Sequence, residues 1–362
     1  MANPANPWII SKNTDCAVFI GPVLAAFLFL FFLNDYPVEA PYPLWVFIAL
    51  VVSVDVAHVW ATGYRVYLDP EETSRRPWIY LGSIPLILIA SIVLHLYDSK
   101  TFWTVVAYYA IWHFLSQPYG FIAIYKWKYQ ERNPMDHHLD KLSSWVAGLG
   151  PILVWHATPE RHFNWFDHGE FFLARIPQYF TPWILGIYGV IFLLYVTRQV
   201  QAYYLRREFN PGKQMVMLLT WLTWAVGIFL PHPLISAAFI NLFHGIPFIA
   251  LTWLYCHRKW ANSERSSETP WHKSLIFLSR KENLFFFYAL LLLPALAEEF
   301  LWDSMIWGVY LISPLKIQPE TLLYSSLVGL LALPQLIHYY LDSHIWKLKK
   351  TNPDLKENLG LI

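Results

Sequence analysis

The chain has 362 residues, 56% of them hydrophobic and 14% charged, with a formal net charge of +1 at pH 7. A soluble domain carries about 25% charged residues, so this composition excludes a soluble enzyme and makes lipid the main solvent. No basic run is interleaved with loop aromatics as a strand-binding groove requires, which excludes nucleic acid as a partner.

Apolar windows of about 20 residues, the length that crosses a hydrocarbon core of about 30 Å, recur at 16–34, 43–65, 78–97, 102–125, 143–157, 180–203, 215–231, 233–256, 284–311 and 321–346. They predict an all-α fold, a polytopic transmembrane helical bundle of about ten spans. The fifth window is short, and the ninth holds Pro294, Glu298, Glu299 and Asp303. With ten spans, all but four of the 26 Lys and Arg residues fall on the side that carries both termini, the exceptions being Lys100, Arg161, Arg175 and Lys316. Cytoplasmic loops hold the excess of basic residues. Both termini are therefore expected in the cytoplasm, in a multi-pass protein of a bacterial inner membrane whose basic face meets anionic lipid.

Cys16 and Cys256 fall at cytoplasmic span ends, where a structural disulfide is not expected. No Gly/Ser-rich linker or repeat interrupts the chain, so residues 1–362 are expected to form a single integral membrane domain. The segment ATPERHFNWFDHGEFFLARIPQ is expected to be an outer connector anchored by Trp165 and its phenylalanines. The motif DHHLD, with Asp136, His137, His138 and Asp140, is expected in a charged cytoplasmic loop where solvent satisfies it.

Within the spans, polar residues recur at helical spacing. The second span carries Asp55, His58, Thr62 and Arg65 in one stripe; the fourth carries Tyr109, His113 and Gln117; the eighth carries Asn241 and His244; the tenth carries Gln335, His338 and Asp342. All four spans are even-numbered and run in the same direction, which places their imidazoles at similar depth. One histidine in a membrane helix is explained by an interhelical hydrogen bond. Four, each with a carboxylate or carboxamide about one turn away, point to a metal site, because neutral imidazole is a common ligand and its neighbours ligate or orient it.

His58, His113, His244, His338, Asp55 and Asp342 offer nitrogen and oxygen without thiolate, a set that suits iron, manganese or zinc. Six ligands exceed one tetrahedral zinc and fit one octahedral ion or a pair of irons. Glu298 and Glu299 are further ligand candidates. Gln117, Asn241 and Gln335 are candidate cofactor contacts, and Tyr109, Thr62 and Arg65 are candidates for proton delivery or substrate contact.

With His58, His113, His244 and His338 in a polytopic setting, the chain resembles the integral-membrane histidine-rich non-haem metalloenzymes: the fatty-acid desaturases and hydroxylases and the bacterial membrane carotene dioxygenases. The resemblance implies a helical bundle in which iron oxidises a hydrophobic, lipid-soluble substrate, with an electron donor as partner. The desaturase boxes HxxxH and HxxHH are absent, so no catalytic residue is carried over. Two other functions are compatible with the stripes: a b-type haem electron carrier using two of the histidines axially, and a proton- or metal-coupled transporter.

Overall fold

The computed structural model describes residues 6–33, 35–37, 43–158, 175–206, 208–229, 233–261, 269–310, 317–318, 321–349 and 351–361. Helices make up most of the described residues, with no strand among them. Seven helices are long and apolar enough to cross a membrane: α1 (Lys12–Leu33), α2 (Leu44–Arg65), α3 (Pro77–Tyr97), α6 (Gln178–Arg206), α8 (Ile235–Trp260), α9 (Lys281–Trp307) and α10 (Leu322–Ile345). This is a multi-pass membrane protein. The remaining three apolar windows are helices too, α4 (Ser99–Tyr129), α5 (Pro134–His156) and α7 (Pro211–Phe229). Their sequences are more polar, α4 through its Tyr, Trp, His and Gln residues, and they fall outside the seven. Most of the segment proposed as an outer connector, 159–174, lies outside the described residues.

Large apolar side chains on the helix exteriors, such as Phe31 (80% exposed) and Trp78 (86%), face the surroundings rather than a core. Lipid tails satisfy such a surface, whereas water does not.

The chain packs as two compact units, Met1–Val38 with Ala107–His244 and Leu361, and Glu39–Val106 with Gly245–Gly360 and Ile362; the boundaries fall inside α4 and α8. In the first unit α5 packs on α6 and α7, and α1 on α7. Asp15, buried near the start of α1, accepts from the backbone N–H groups of Ile9, Ile10 and Ser11 and from the Tyr125 hydroxyl, so its charge is fully hydrogen-bonded. In the second unit α10 packs on α3 and α2, and α9 on α2. Val66, Tyr80, Ile337, Leu341 and Ile345 form a closed core at the end of α10.

Each helix that carries one of the four histidines has a π-helical stretch or a proline close to it. Phe47–Val56 of α2 is π-helical, ending two residues before His58. Pro118, Pro247 and Pro334 lie inside α4, α8 and α10, within five residues of His113, His244 and His338. A proline removes one backbone donor and a π-turn widens the helix, so both re-aim nearby side chains. Next to His244, Gly245 allows α8 to approach α2: a Cβ there would sit 2.7 Å from Val54 Cγ1 and 3.0 Å from the Val54 carbonyl oxygen.

Candidate metal centre

His58 sits on α2 one turn from Asp55 and one turn from Thr62, and its helix fixes all three on one face. Nδ1 of His58 lies 3.3 Å from the Val54 carbonyl oxygen and 3.8 Å from Asp55 Oδ1. On α10, Nδ1 of His338 lies 2.7 Å from Thr62 Oγ1 and 3.8 Å from Asp342 Oδ1. The two imidazoles meet edge to face with centroids 4.8 Å apart, and the Phe248 ring packs edge-on against both, at 5.8 and 5.1 Å. Thus each ring has its Nδ1 side turned to an oxygen on its own or a neighbouring helix, and each has a carboxylate behind it. At 3.8 Å those carboxylates are beyond direct hydrogen-bond range.

His113 on α4 and His244 on α8 form the second pair. Their Nε2 atoms are 3.0 Å apart and their ring centroids 4.8 Å apart. Phe114 packs against the His244 ring at 4.3 Å. Gln117 donates its amide to the His244 carbonyl oxygen at 3.2 Å, so this residue secures the backbone of α8.

The four histidines form one cluster: one ring nitrogen from each lies within 4.8 Å of the others, and all four residues are at most 4% exposed. They make up the one group among the described residues with the spacing to hold a metal ion. A tetrahedral set of nitrogens at 2.0–2.1 Å from a metal has edges of about 3.3 Å. The Nε2 atoms of His113 and His244, 3.0 Å apart, are already close to that spacing.

The other residues singled out by spacing divide into those beside the cluster and those committed elsewhere. Asp55 and Asp342 stand behind His58 and His338, outside the set of four. Thr62 bonds His338 and so positions a ligand candidate. Asn241 is buried one turn before His244. Glu298 on α9 is buried and accepts from Trp60 Nε1 at 2.8 Å; Glu299 is half-buried beside it. Helix α9 runs on through Pro294 without a break. Tyr109 stacks on Trp112, centroids 5.7 Å apart, and Gln335 donates to the Tyr339 hydroxyl at 2.6 Å, within its own helix. Arg65 is fully buried, but it points at Glu72 (3.0 Å) and lies 4.2 Å over the Tyr255 ring.

Two polar networks proved to be structural. Glu72, in the short helix Pro70–Arg75, pairs with Arg65, Arg75 and Arg76, each at 3.0 Å, and bonds the Tyr80 hydroxyl. Burial alone would push its carboxyl up, but Arg65, Tyr80 and Arg76 outweigh that and hold it down at about 2. Asp69 caps this helix by accepting from Glu71 N and Glu72 N. The DHHLD motif, expected in a loop, forms the first turns of α5, capped by Asn133 and started by Pro134. Its Asp136 pairs with Arg198 (2.6 Å) and Arg206 (2.7 Å), which lower its carboxyl against the effect of burial. Asp140 pairs with Lys126 and, at 3.5 Å, with Lys213; burial keeps its carboxyl raised despite both lysines. The Lys and Arg residues of the chain, not solvent, satisfy the two aspartates, while His137 and His138 are exposed as expected.

Spacing did not point to Phe114, Phe248 or Trp60. Phe114 adjoins His113 and Phe248 follows His244 by one turn, so an aromatic at these offsets was the available signal. The cysteines are both free.

Compared with known proteins, the chain matches no protein family, no curated protein and no solved structure.

Proposed function

We propose that the chain is a membrane-embedded metalloenzyme in which His58, His113, His244 and His338 hold a single transition-metal ion, iron first, for oxidation of a hydrophobic, lipid-soluble substrate. The observation that carries this reading is the convergence of four buried ring nitrogens within 4.8 Å. Nitrogens on opposite sides of one ion are separated by about 4.2 Å at most, twice a metal–imidazole bond; the 4.8 Å bound exceeds this by about 0.6 Å, and our reading takes one ion rather than the pair weighed from ligand number. Neutral imidazoles leave a divalent ion with its full charge. Asp55 and Asp342, one behind each of two ligands, offset it with two negative charges at a distance. An ordered protein dipole or charge of this kind tunes a metal without ligating it.

Bound iron would supply oxygen activation. The chain's own groups would do the rest: Thr62 holds the His338 ring, Gln117 secures the backbone at His244, and Phe114 and Phe248 exclude water from the ligand rings. Tyr109 remains a candidate substrate contact on the α4 face one turn from His113. On this reading the chain has a ten-span topology with both termini cytoplasmic in a bacterial inner membrane, and the site would lie at mid-depth, reached from lipid and served by an external electron donor. The likeness to membrane histidine-rich oxygenases agrees with this reading.

A b-type haem fits less well, since a porphyrin plane must separate two axial imidazoles, whereas His113 and His244 have Nε2 atoms 3.0 Å apart. Metal analysis of detergent-purified protein tests the proposal. One transition-metal ion per chain is expected, lost in both His58→Ala and His338→Ala. A metal-free wild-type protein that takes up no added Fe²⁺, Mn²⁺, Co²⁺ or Zn²⁺ would end it.

A further inference from the structure

The tyrosine hydroxyls of the chain differ in what they meet. Tyr64, Tyr67 and Tyr288 donate to backbone carbonyls and Tyr195 to a glutamine amide oxygen, none of which can keep a proton. Tyr80 and Tyr125 donate to Glu72 and Asp15, whose charged forms are held by arginines and by backbone N–H groups respectively. Bonds of that kind make a carboxylate a poor base. Tyr119 faces His137, an exposed side chain, at 3.2 Å.

Tyr108 meets something else. Its hydroxyl lies 2.7 Å from Nε2 of His156, and Nδ1 of His156 lies 2.8 Å from the Ile152 carbonyl oxygen. A carbonyl only accepts, so Nδ1 carries the ring hydrogen and Nε2 presents its lone pair. Tyr108 therefore donates to a neutral base, and that histidine is 8% exposed. His156 is the last residue of α5, where the partial negative charge of a helix C-terminus favours an imidazolium. Tyr108 is half-buried on α4, five residues before His113, about 7.5 Å along the helix axis. Tyr109 and Trp112, stacked on one another, occupy the turn between them. Tyr108, His113 and His156 all belong to the first unit.

We propose that Tyr108 yields one electron to the oxidised metal centre while its proton passes to His156. This inference rests on the four-histidine reading. The O–H bond of Tyr108 breaks, an N–H bond forms at His156 Nε2, and the electron reduces the metal centre by one unit, leaving a neutral tyrosyl radical beside an imidazolium. An electron from the external donor then converts the radical to phenolate, which takes the proton back. Loss of the electron alone would leave a cation on the phenol in apolar surroundings, a cost that the base removes. The pair thus holds one oxidising equivalent away from the ligand rings until the donor arrives.

The test loads full-length protein in detergent with Fe²⁺, oxidises it with hydrogen peroxide and freezes it for electron paramagnetic resonance, with iron per chain measured in each sample. The wild type is expected to show a tyrosyl radical, formed more slowly in D₂O because the proton moves with the electron. Tyr108→Phe is expected to bind iron as the wild type does and to lack that radical. In His156→Gln the iron content should again be unchanged while the radical forms about 100-fold or more slowly, the usual contribution of a positioned general base. If Tyr108→Phe misfolds, wild-type protein grown on isotope-labelled histidine carries the test, through coupling of the radical to one imidazole nitrogen. Absence of that coupling, no radical in iron-loaded wild type, or an undiminished radical in folded Tyr108→Phe would overturn the pair and leave the four-histidine centre standing. Wild-type protein that binds no iron would overturn the centre and the pair together.

Discussion

Thr62→Val removes one atom's chemistry from the candidate centre while keeping the shape of the side chain. In the native protein Thr62 Oγ1 lies 2.7 Å from His338 Nδ1, and both residues are buried, at 3% and 0% exposure. Valine cannot make that bond. A buried hydrogen bond contributes about 1 kcal/mol net, and leaving its partner unsatisfied costs about 1–3 kcal/mol. Part of that cost is borne equally by apo and metal-bound protein. The part specific to the bound state is the loss of ring orientation, and loss of such a supporting contact typically weakens metal binding about 10- to 100-fold. That corresponds to about 1.4–2.8 kcal/mol.

The assay is a chelator-competition titration of apo-protein with Co²⁺ or Zn²⁺, run beside a thermal melt of each apo form. Thr252→Val is the control: Thr252 is fully buried on α8 and its hydroxyl has no hydrogen-bond partner, so its replacement should leave metal affinity unchanged. An affinity for Thr62→Val within twofold of wild type, in a protein that still folds, would refute the idea that Thr62 positions His338 for a metal.

Three further outcomes are expected. Gly245→Ala places a Cβ 2.7 Å from Val54 Cγ1 and 3.0 Å from a backbone oxygen; it should destabilise the protein by about 1–3 kcal/mol, the usual cost of overpacking, seen as a lower melting temperature in detergent. Gly227→Ala, with its nearest neighbour at 3.4 Å, should be milder. The Glu72 carboxyl has its ordinary value of 4.5 lowered to about 2 by its arginines and Tyr80. A depressed folded-state value means that its stabilisation is complete above the unfolded value and is lost as pH falls from about 4.5 toward 2; melting temperatures across that window should fall more steeply for wild type than for Glu72→Gln, and parallel curves would contradict the pairing. Lastly, Asp55→Asn and Asp342→Asn should each retain the metal ion but bind it more weakly, since each removes one negative charge behind a ligand ring without removing a ligand; metal analysis after dialysis against a chelator reads the difference.

The helical, membrane-spanning character was legible without coordinates because it depends on local quantities. Apolar length sets what can cross a bilayer, and all ten apolar windows proved to be helices. The histidine stripes were legible for the same reason: steps of three and four put Asp55, His58 and Thr62 on one face of a helix whatever lies opposite. Asn133 and Pro134, which cap and start the helix at DHHLD, gave no such warning, since a capped helix start looks much like a polar loop when its partners are unknown.

Partner choice was a tertiary matter. Arg65 continues the Asp55–His58–Thr62 stripe in sequence, yet it turns to Glu72, because a buried guanidinium needs a carboxylate and that one is within reach. Asp136 found Arg198 and Arg206, more than 60 residues downstream, and no periodicity encodes such a pairing. The same limit applied to the centre itself. Sequence determined that four imidazoles sit in apolar helices with polar company; only packing decided that their nitrogens converge, that Asp55 and Asp342 stand behind the rings, and that Thr62 belongs to His338. Helical spacing fixes the direction of a side chain on its own helix, while the distance between helices depends on every contact along their length.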